Sequence, residues 1–283
     1  MSLLEAKNIT KEYGGRTIIR DICIHLEQGE LVSILGLSGC GKTTLFHVLS
    51  GLTLPKEGQV FLNGEDITGK PGSVSYMLQK DLLLQHKKVI DNVALPLVLK
   101  GMSRKNAGKI ASPLFAPFGL EGCQNQFPSS LSGGMRQRAA FLRTCLCAAI
   151  QADGVPRTDG SGWGSALFCD QDTDAEDRGR EIHGAALLDE PFSALDTITK
   201  GQMHDWYLGV MKKISLSTLF ITHDIDEAIL LSDRIYLMTG TPGVIRNEIE
   251  ILPSRKEREG FNLTQEFLMY KKRIVRILGE ENL

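Results

Sequence analysis

Nine consecutive residues, Gly36-Leu37-Ser38-Gly39-Cys40-Gly41-Lys42-Thr43-Thr44, have the types and spacing of a loop that holds phosphate. Glycines at Gly36, Gly39 and Gly41 let successive backbone N–H groups curl around phosphate oxygens, and a helix N-terminus beyond them favours negative charge. In such a loop Lys42 reaches the β- and γ-phosphates of a nucleoside triphosphate, and the Thr43 hydroxyl ligates Mg²⁺. A second group, Leu187-Leu188-Asp189-Glu190, is an apolar run ending in adjacent carboxylates. Asp189 is suited to holding Mg²⁺ through water, and Glu190 to orienting and deprotonating an attacking water. An Asp-Glu pair alone carries no information, because surface pairs are common. The apolar approach and the Pro191-Phe192-Ser193-Ala194-Leu195-Asp196 that follows give this one its context.

Both groups need strands to aim them. Leu31-Val32-Ser33-Ile34-Leu35 is apolar enough for a buried strand and runs directly into Gly36. A helical pattern through Leu45, Val48 and Leu49 then stops at Gly51. Strand, glycine loop, helix is the order that a phosphate loop requires. Upstream, residues 3–9 and 18–26 read as strands, with turns at Tyr13-Gly14-Gly15 and Gln28-Gly29. Asn63-Gly64 predicts a hairpin between Val60-Phe61-Leu62 and Ile67. Residues 81–130 turn mainly helical, broken by Pro96, Pro113, Pro117 and Pro128. A strand over 218–222 ends at His223, a helix starts at Asp224, and a strand covers 234–238. The stretch 261–278 is an amphipathic helix, with Phe267, Ile274 and Ile277 on a face that packs rather than lies on a membrane. Strands alternating with helices predict an α/β fold with a mainly parallel sheet.

Composition narrows the class. Of 283 residues, 42% are hydrophobic, and 32 Lys and Arg against 34 Asp and Glu give a net charge of −2. That balance argues against a basic nucleic-acid binder and an acidic disordered tail, so no nucleic-acid partner is expected. No apolar run is long enough to span a bilayer, and Glu5 and Lys7 interrupt the stretch where a signal peptide would be apolar. The chain is expected in the cytosol unless something else holds it at a membrane. Cys23, Cys40, Cys123, Cys145, Cys147 and Cys169 form no C-x-x-C pair and read as small reduced core residues rather than a metal site.

Leu131-Ser132-Gly133-Gly134-Met135, followed by Arg136-Gln137-Arg138, resembles the signature sequence of ATP-binding-cassette (ABC) ATPases. The resemblance extends over almost the whole chain, in order. It implies that Tyr13 stacks on adenine, that Gln79 senses Mg²⁺ and γ-phosphate, that Ser193 to Asp196 form the D-loop, and that His223 contacts γ-phosphate. It implies ATP and Mg²⁺ as cofactors, with Lys42, Gln79, Glu190 and His223 catalytic, Thr43, Gln79 and Asp189 at the metal, and Asp196 near nucleotide. Ser132, Gly133 and Gly134 begin a helix, so their N–H groups face an anion, and in this family that anion belongs to a second subunit. The fold implied is a P-loop cassette with a parallel core, an N-terminal antiparallel β-subdomain and a helical subdomain. Its core would be 1–80 and 185–250, the helical signature part 81–150, and the C-terminal helical tail 251–283. Met77 to Leu84 and Val89 to Leu97 are similar to the ATPase subunits of bacterial nitrate, sulfonate and taurine importers. The partners implied are a second ABC subunit, commonly a second copy, a transmembrane permease received in a groove after Gln79, and indirectly a solute-binding protein. The place implied is the cytoplasmic face of a bacterial membrane. A soluble ABC ATPase and a non-hydrolysing nucleotide-binding regulatory subunit are the alternatives; Glu190 opposes the second.

One stretch departs from the pattern. From Ser132 to Asp189 is 57 positions, longer than the family uses, and the surplus lies in 151–184. That segment has 8 acidic and 3 basic residues and six glycines, so it reads as a solvated acidic excursion. Asp170, Asp172, Asp174 and Glu181 mimic a calcium loop, but Ala175 stands where the turn needs glycine and no amphipathic helices flank it. The plain acidic loop is the better reading. A surface loop lengthens at small entropic cost, about 0.6 kcal/mol per doubling, so the segment is expected to be tolerated.

Overall fold

The computed structural model describes residues 2–154, 184–193, 195–214, 216–258 and 260–279. The strands are β1 Ser2–Tyr13, β2 Arg16–Glu27, β3 Leu31–Leu35, β4 Glu57–Leu62, β5 Glu65–Asp66, β6 Ser75–Met77, β7 Ala185–Asp189, β8 Ser217–Thr222, β9 Arg234–Thr239 and β10 Val244–Glu250. The helices are α1 Lys42–Leu49, α2 Val89–Val93, α3 Leu95–Leu99, α4 Arg104–Ala111, α5 Gly133–Asp153, α6 Thr197–Met211, α7 Ile225–Leu231 and α8 Gln265–Gly279. By compactness the chain divides into two units. The first is Met1–Val74, Leu187–Glu190 and Ser217–Leu283, and the second is Ser75–Ala186 and Pro191–Leu216.

The first unit holds a four-stranded sheet in the order β2-β1-β4-β5, antiparallel at each junction. Asn63 and Gly64 both have positive φ, 51° and 81°, so the expected hairpin turn is made between β4 and β5. The second strand there is only two residues long; Ile67 lies beyond it, still donating its N–H to the Val60 carbonyl. A second sheet of this unit has the order β10-β9-β3-β8-β7, with β3 parallel to both β8 and β9, and β10 antiparallel to β9. All five residues of β3 and all six of β8 are buried, as expected for strands covered on both faces. Beneath β3, β9 and β10, α7 and α8 close an apolar cluster that includes Ile229, Ile235, Ile249, Phe261, Phe267 and Ile274. The C-terminal helix therefore packs with Phe267 and Ile274, as its periodicity predicts. It starts four residues later than that pattern, with Phe261–Leu263 forming a separate 3₁₀ turn.

The second unit is mainly helical. Its prolines begin segments as much as they end them: Pro96, Pro113 and Pro128 each sit in the first turn of a short helix, where a missing N–H costs nothing. Cysteines are mostly core residues, with Cys40, Cys123 and Cys145 buried. Cys23 is exposed, because β2 alternates and its neighbours Ile22 and Ile24 take the inward positions. Cys169 and the calcium-like pattern lie outside the described residues, as does most of the acidic segment. Gln151 to Asp153 are the last turn of α5. No described helix is long and apolar enough to cross a membrane.

Candidate functional site

In the first unit β3 hands the chain to the loop 36–41, which returns as α1. The N-cap of α1 is Gly41 in the left-handed conformation, φ 100°, which a side chain would resist. Two further glycines are demanded by space. A Cβ on Gly36 would collide with the Met238 carbonyl, and one on Gly243 with the Cys40 carbonyl, so this loop is pressed against the β9–β10 turn. Lys42 is buried, and its Nζ donates to the carbonyls of Gly36 at 2.8 Å and Leu37 at 2.9 Å. The loop thus curls over its own ammonium. Leu37, Ser38, Gly39 and Thr43 are exposed, and Thr44 is half-buried. Burial pushes the Cys40 thiol up, which makes it a neutral packing group rather than a nucleophile.

The carboxylates come from β7. Asp189 is its last residue and is buried; Glu190 follows with φ 46° and its N–H donates to the Ile221 carbonyl at 3.1 Å. A non-glycine residue held there stores roughly 1–3 kcal/mol of strain, a cost usually found at functional positions. The turn aims the Glu190 carboxylate at His223, just past β8: His223 Nδ1 is 3.1 Å from Glu190 Oε1. With Glu190 ionised, Nδ1 carries the proton and Nε2 is the free edge of the ring.

The loop bearing His223 is fixed on both sides. Thr222 Oγ1 donates to Glu227 and accepts from the Asp224 N–H, while Asp224 caps α7 through the N–H groups of Asp226 and Glu227. At the other end of α7, buried Arg258 donates to the carbonyls of Ile229, Leu230 and Ser232, and also to those of Ile251 and Pro253. Burial lowers the guanidinium to about 10, still charged at neutral pH, so a cation sits where the helix dipole is negative. Tyr13, 48% exposed, places its hydroxyl 3.4 Å from Thr53 Oγ1.

The second unit carries Gln79, Ser132, Gly133, Gly134 and Asp196. Gln79 follows β6, is exposed, and its Nε2 donates to Ser193 Oγ at 3.4 Å. The residues after it are tied to α5: Arg136 Nε pairs with Asp81 at 3.2 Å, and Arg143 donates to the carbonyls of Asp81 and Leu82. Ser132 caps α5, its Oγ accepting from the Met135 N–H at 3.3 Å. A Cβ at Gly133 or Gly134 would meet only ordinary contacts, so the backbone's packing in this unit does not demand glycine there. Asp196 caps α6, accepting from the Thr199 N–H at 3.0 Å and the Thr199 hydroxyl at 2.6 Å.

Gly243 and Arg258 escaped the sequence reading. Gly240-Thr241-Pro242-Gly243 has turn composition and offered a signal. Arg258, in a charged run with Arg255 and Glu257, reads as solvated and offered none. Among the described residues no three His, Cys, Asp or Glu side chains are grouped to hold a metal by themselves. The hard oxygen donors of Thr43 and Asp189 suit a cation that keeps water and substrate phosphate in its shell, as Mg²⁺ does.

The ABC transporter family model matches residues 19–150. The chain is 34% identical to the formylaminopyrimidine import ATP-binding protein ThiZ of Halalkalibacterium halodurans, across 99% of this chain and 98% of that protein. It is 32% identical to the aliphatic sulfonates import ATP-binding protein SsuB 2 of Burkholderia cenocepacia, across 88% of this chain and 78% of that one. The dimeric structure of MJ0796, a bacterial ABC transporter cassette, matches with TM-score 0.64 and 23% identity, covering 89% of this chain and 100% of the other, a likeness of fold. The chain belongs to the ABC transporter ATP-binding family and is an ATPase of that class.

Proposed function

We propose that this chain is the ATP-hydrolysing subunit of a bacterial importer, working in a pair at the cytoplasmic face of the membrane and powering a separate permease. The observation that carries hydrolysis is the Glu190–His223 contact of 3.1 Å at the ends of β7 and β8, in the unit that holds the phosphate loop. Glu190 takes the proton of the attacking water, and His223 orients that carboxylate. Because Nδ1 faces Glu190, Nε2 is the ring nitrogen left to meet γ-phosphate. Lys42 and the N–H groups of 36–44 neutralise phosphate charge, and Tyr13 carries the adenine. Thr43 and Asp189 would hold Mg²⁺, which would supply further charge neutralisation at the transferred phosphoryl. Asp196 stands near nucleotide in this reading. A non-hydrolysing regulatory role is the weaker reading, since a strained glutamate aimed at a histidine serves no evident structural need.

Ser132, Gly133 and Gly134 open α5 with N–H groups that a second copy's nucleotide would engage, making ATP the link between two chains. For the permease, the second unit offers a shallow groove lined by Leu84, Lys87, Asp91, Ala94, Leu95 and Val98. Buried Asn92 shapes it by bonding to the backbone of Leu84, Lys87 and Lys88, and Leu82 and Leu99 lie exposed nearby in the chain. The relatives' names differ in solute, which fits a solute chosen by the permease and its binding protein. A small solute of the nitrate, sulfonate or taurine kind is the proposed cargo.

Glu190→Gln tests the proposal. Hydrolysis should fall at least about 100-fold, the scale of a lost general base, with Mg-ATP binding retained. Size-exclusion should show an ATP-dependent shift to dimer. Unchanged hydrolysis, or ATP bound with no dimer in the presence of the permease, overturns the catalytic or the pairing part respectively.

A further inference from the structure

Tyr13 does not stand alone on its strand. Lys11, two residues earlier on β1, places its Nζ 4.8 Å from the centre of the Tyr13 ring. The same ammonium donates to the Leu54 carbonyl at 2.6 Å. Residues two apart share one side of a strand, and register shifts at Ile9/Lys11 and Lys11/Glu12 mark an irregularity that re-aims side chains here. The loop that supplies Leu54 is itself anchored: the Thr53 N–H donates to the His47 carbonyl and the Lys56 N–H to the Thr10 carbonyl. The neighbouring Glu12 is taken by Lys56 at 2.7 Å and by Thr17 at 3.1 Å. Among the described residues Lys11 has no carboxylate partner, so its charge is spent on a carbonyl and an aromatic face.

We propose that Lys11 is a positioning residue for the nucleobase, acting through Tyr13. This rests on the reading that Tyr13 carries the adenine. The ring is then held at two places, its hydroxyl by Thr53 and one face by the Lys11 ammonium. Only the other face remains for a base. Pinning the ring lowers the ordering cost when a base stacks, and the covered face rejects a second stacking mode. Lys11 contributes nothing to phosphate chemistry in this account, so its effect is specific to ligands that bring a base.

The experiment compares ATP with inorganic tripolyphosphate, which has the phosphates and no base, on the full chain with Mg²⁺. Lys11→Met should weaken ATP binding and raise KM roughly two- to fivefold, the range of an exposed cation–π contact, with kcat held. Tripolyphosphate binding should not change, Lys11→Arg should restore the ATP value, and Lys11→Met in a Tyr13→Ala background should add nothing. Equal weakening of both ligands would make Lys11 a phosphate-steering charge, and an undiminished effect without Tyr13 would make it independent of the ring; either overturns the proposal. No loss of ATP binding in Lys11→Met, while Tyr13→Ala does lose it, overturns Lys11 alone. If Tyr13→Ala leaves the preference for ATP over tripolyphosphate intact, the adenine reading itself falls.

Discussion

The residues proposed to meet nucleotide sit differently in the two compact units. In the first, the charged groups are set into the sheet: Lys42 and Asp189 are buried, Glu190 is half-buried, and each lies on a strand end or the helix after it. In the second, Gln79, Ser132 and Asp196 are exposed, and their side-chain atoms serve caps and loop contacts within that unit. Burial in the first unit gives low dielectric and fixed geometry, which suits stabilising charge that develops during reaction. Exposure in the second suits groups that meet something arriving from outside.

Gly134 is where that contrast breaks most sharply. A Cβ there meets Thr199 and Met203 only at 3.6 and 3.7 Å, ordinary contact, and φ is not in the left-handed region. Gly134→Asp should therefore fold, with unchanged circular dichroism and ATP binding by the isolated chain. If α5 presents its N–H groups to a second copy's nucleotide, the added carboxylate repels phosphate and turnover falls about 100-fold, equivalent to ~2.7 kcal/mol. Full turnover in this variant would show that the second unit's motif is not used.

The next largest effect belongs to the first unit. Arg258→Met keeps the side-chain length but leaves the carbonyls at the end of α7 without their donor. A buried acceptor left unmade costs about 1–3 kcal/mol, so a loss of about 2 kcal/mol in denaturant unfolding is expected. Because α7 begins at Ile225, directly after the His223-Asp224 pair, turnover should fall with it at temperatures where the chain is still folded. A loss of stability without loss of turnover would separate the α7 scaffold from the histidine.

Sequence legibility followed the same division. The strands around the phosphate loop were readable because β3 and β8 are short continuous apolar runs and Asn63-Gly64 fixes a turn. Lys42, Asp189, Glu190 and His223 lay where strand ends predict them. The signature helix was readable at its start, from Ser132 and the glycines. What stayed hidden was tertiary. Gly243 touches the loop from residues two hundred positions away, Arg258 is buried inside a charged run, and Lys11 acquires its role only when Leu54 folds back. Exposed Cys23 was misread for a related reason: a strand's alternation decides its side, and composition alone does not.

The smallest effect lies at the opposite end of the sheet from the chemistry. Arg234, at the start of β9, pairs with Glu30 at 2.8 Å and Glu248 at 2.9 Å, while Glu30 also receives the Glu27 N–H. Desolvation pushes the Glu30 carboxyl up, but the Arg234 guanidinium and the Glu27 N–H outweigh it and hold it below its ordinary 4.5. A carboxyl lowered on folding adds stability that is complete above the unfolded value and is lost as pH falls through the folded one. Unfolding free energy should therefore decline below about pH 4.5 and keep falling as Glu30 protonates. Glu30→Gln should cost about 1 kcal/mol near neutrality, because the amide oxygen still accepts from the largely buried Arg234 and Glu248 still pairs with it, and should flatten that acid slope. Trp206 lies in the second unit, against Phe118 and Phe141, and with the other tryptophan, Trp163, replaced by Phe it reports on that unit's packing. If Glu30→Gln moves the acid transition seen by circular dichroism and leaves the Trp206 signal where it was, the two units lose their structure separately. If both signals move together, the division into two compact units is not a division in stability, and the second unit depends on the first for its fold.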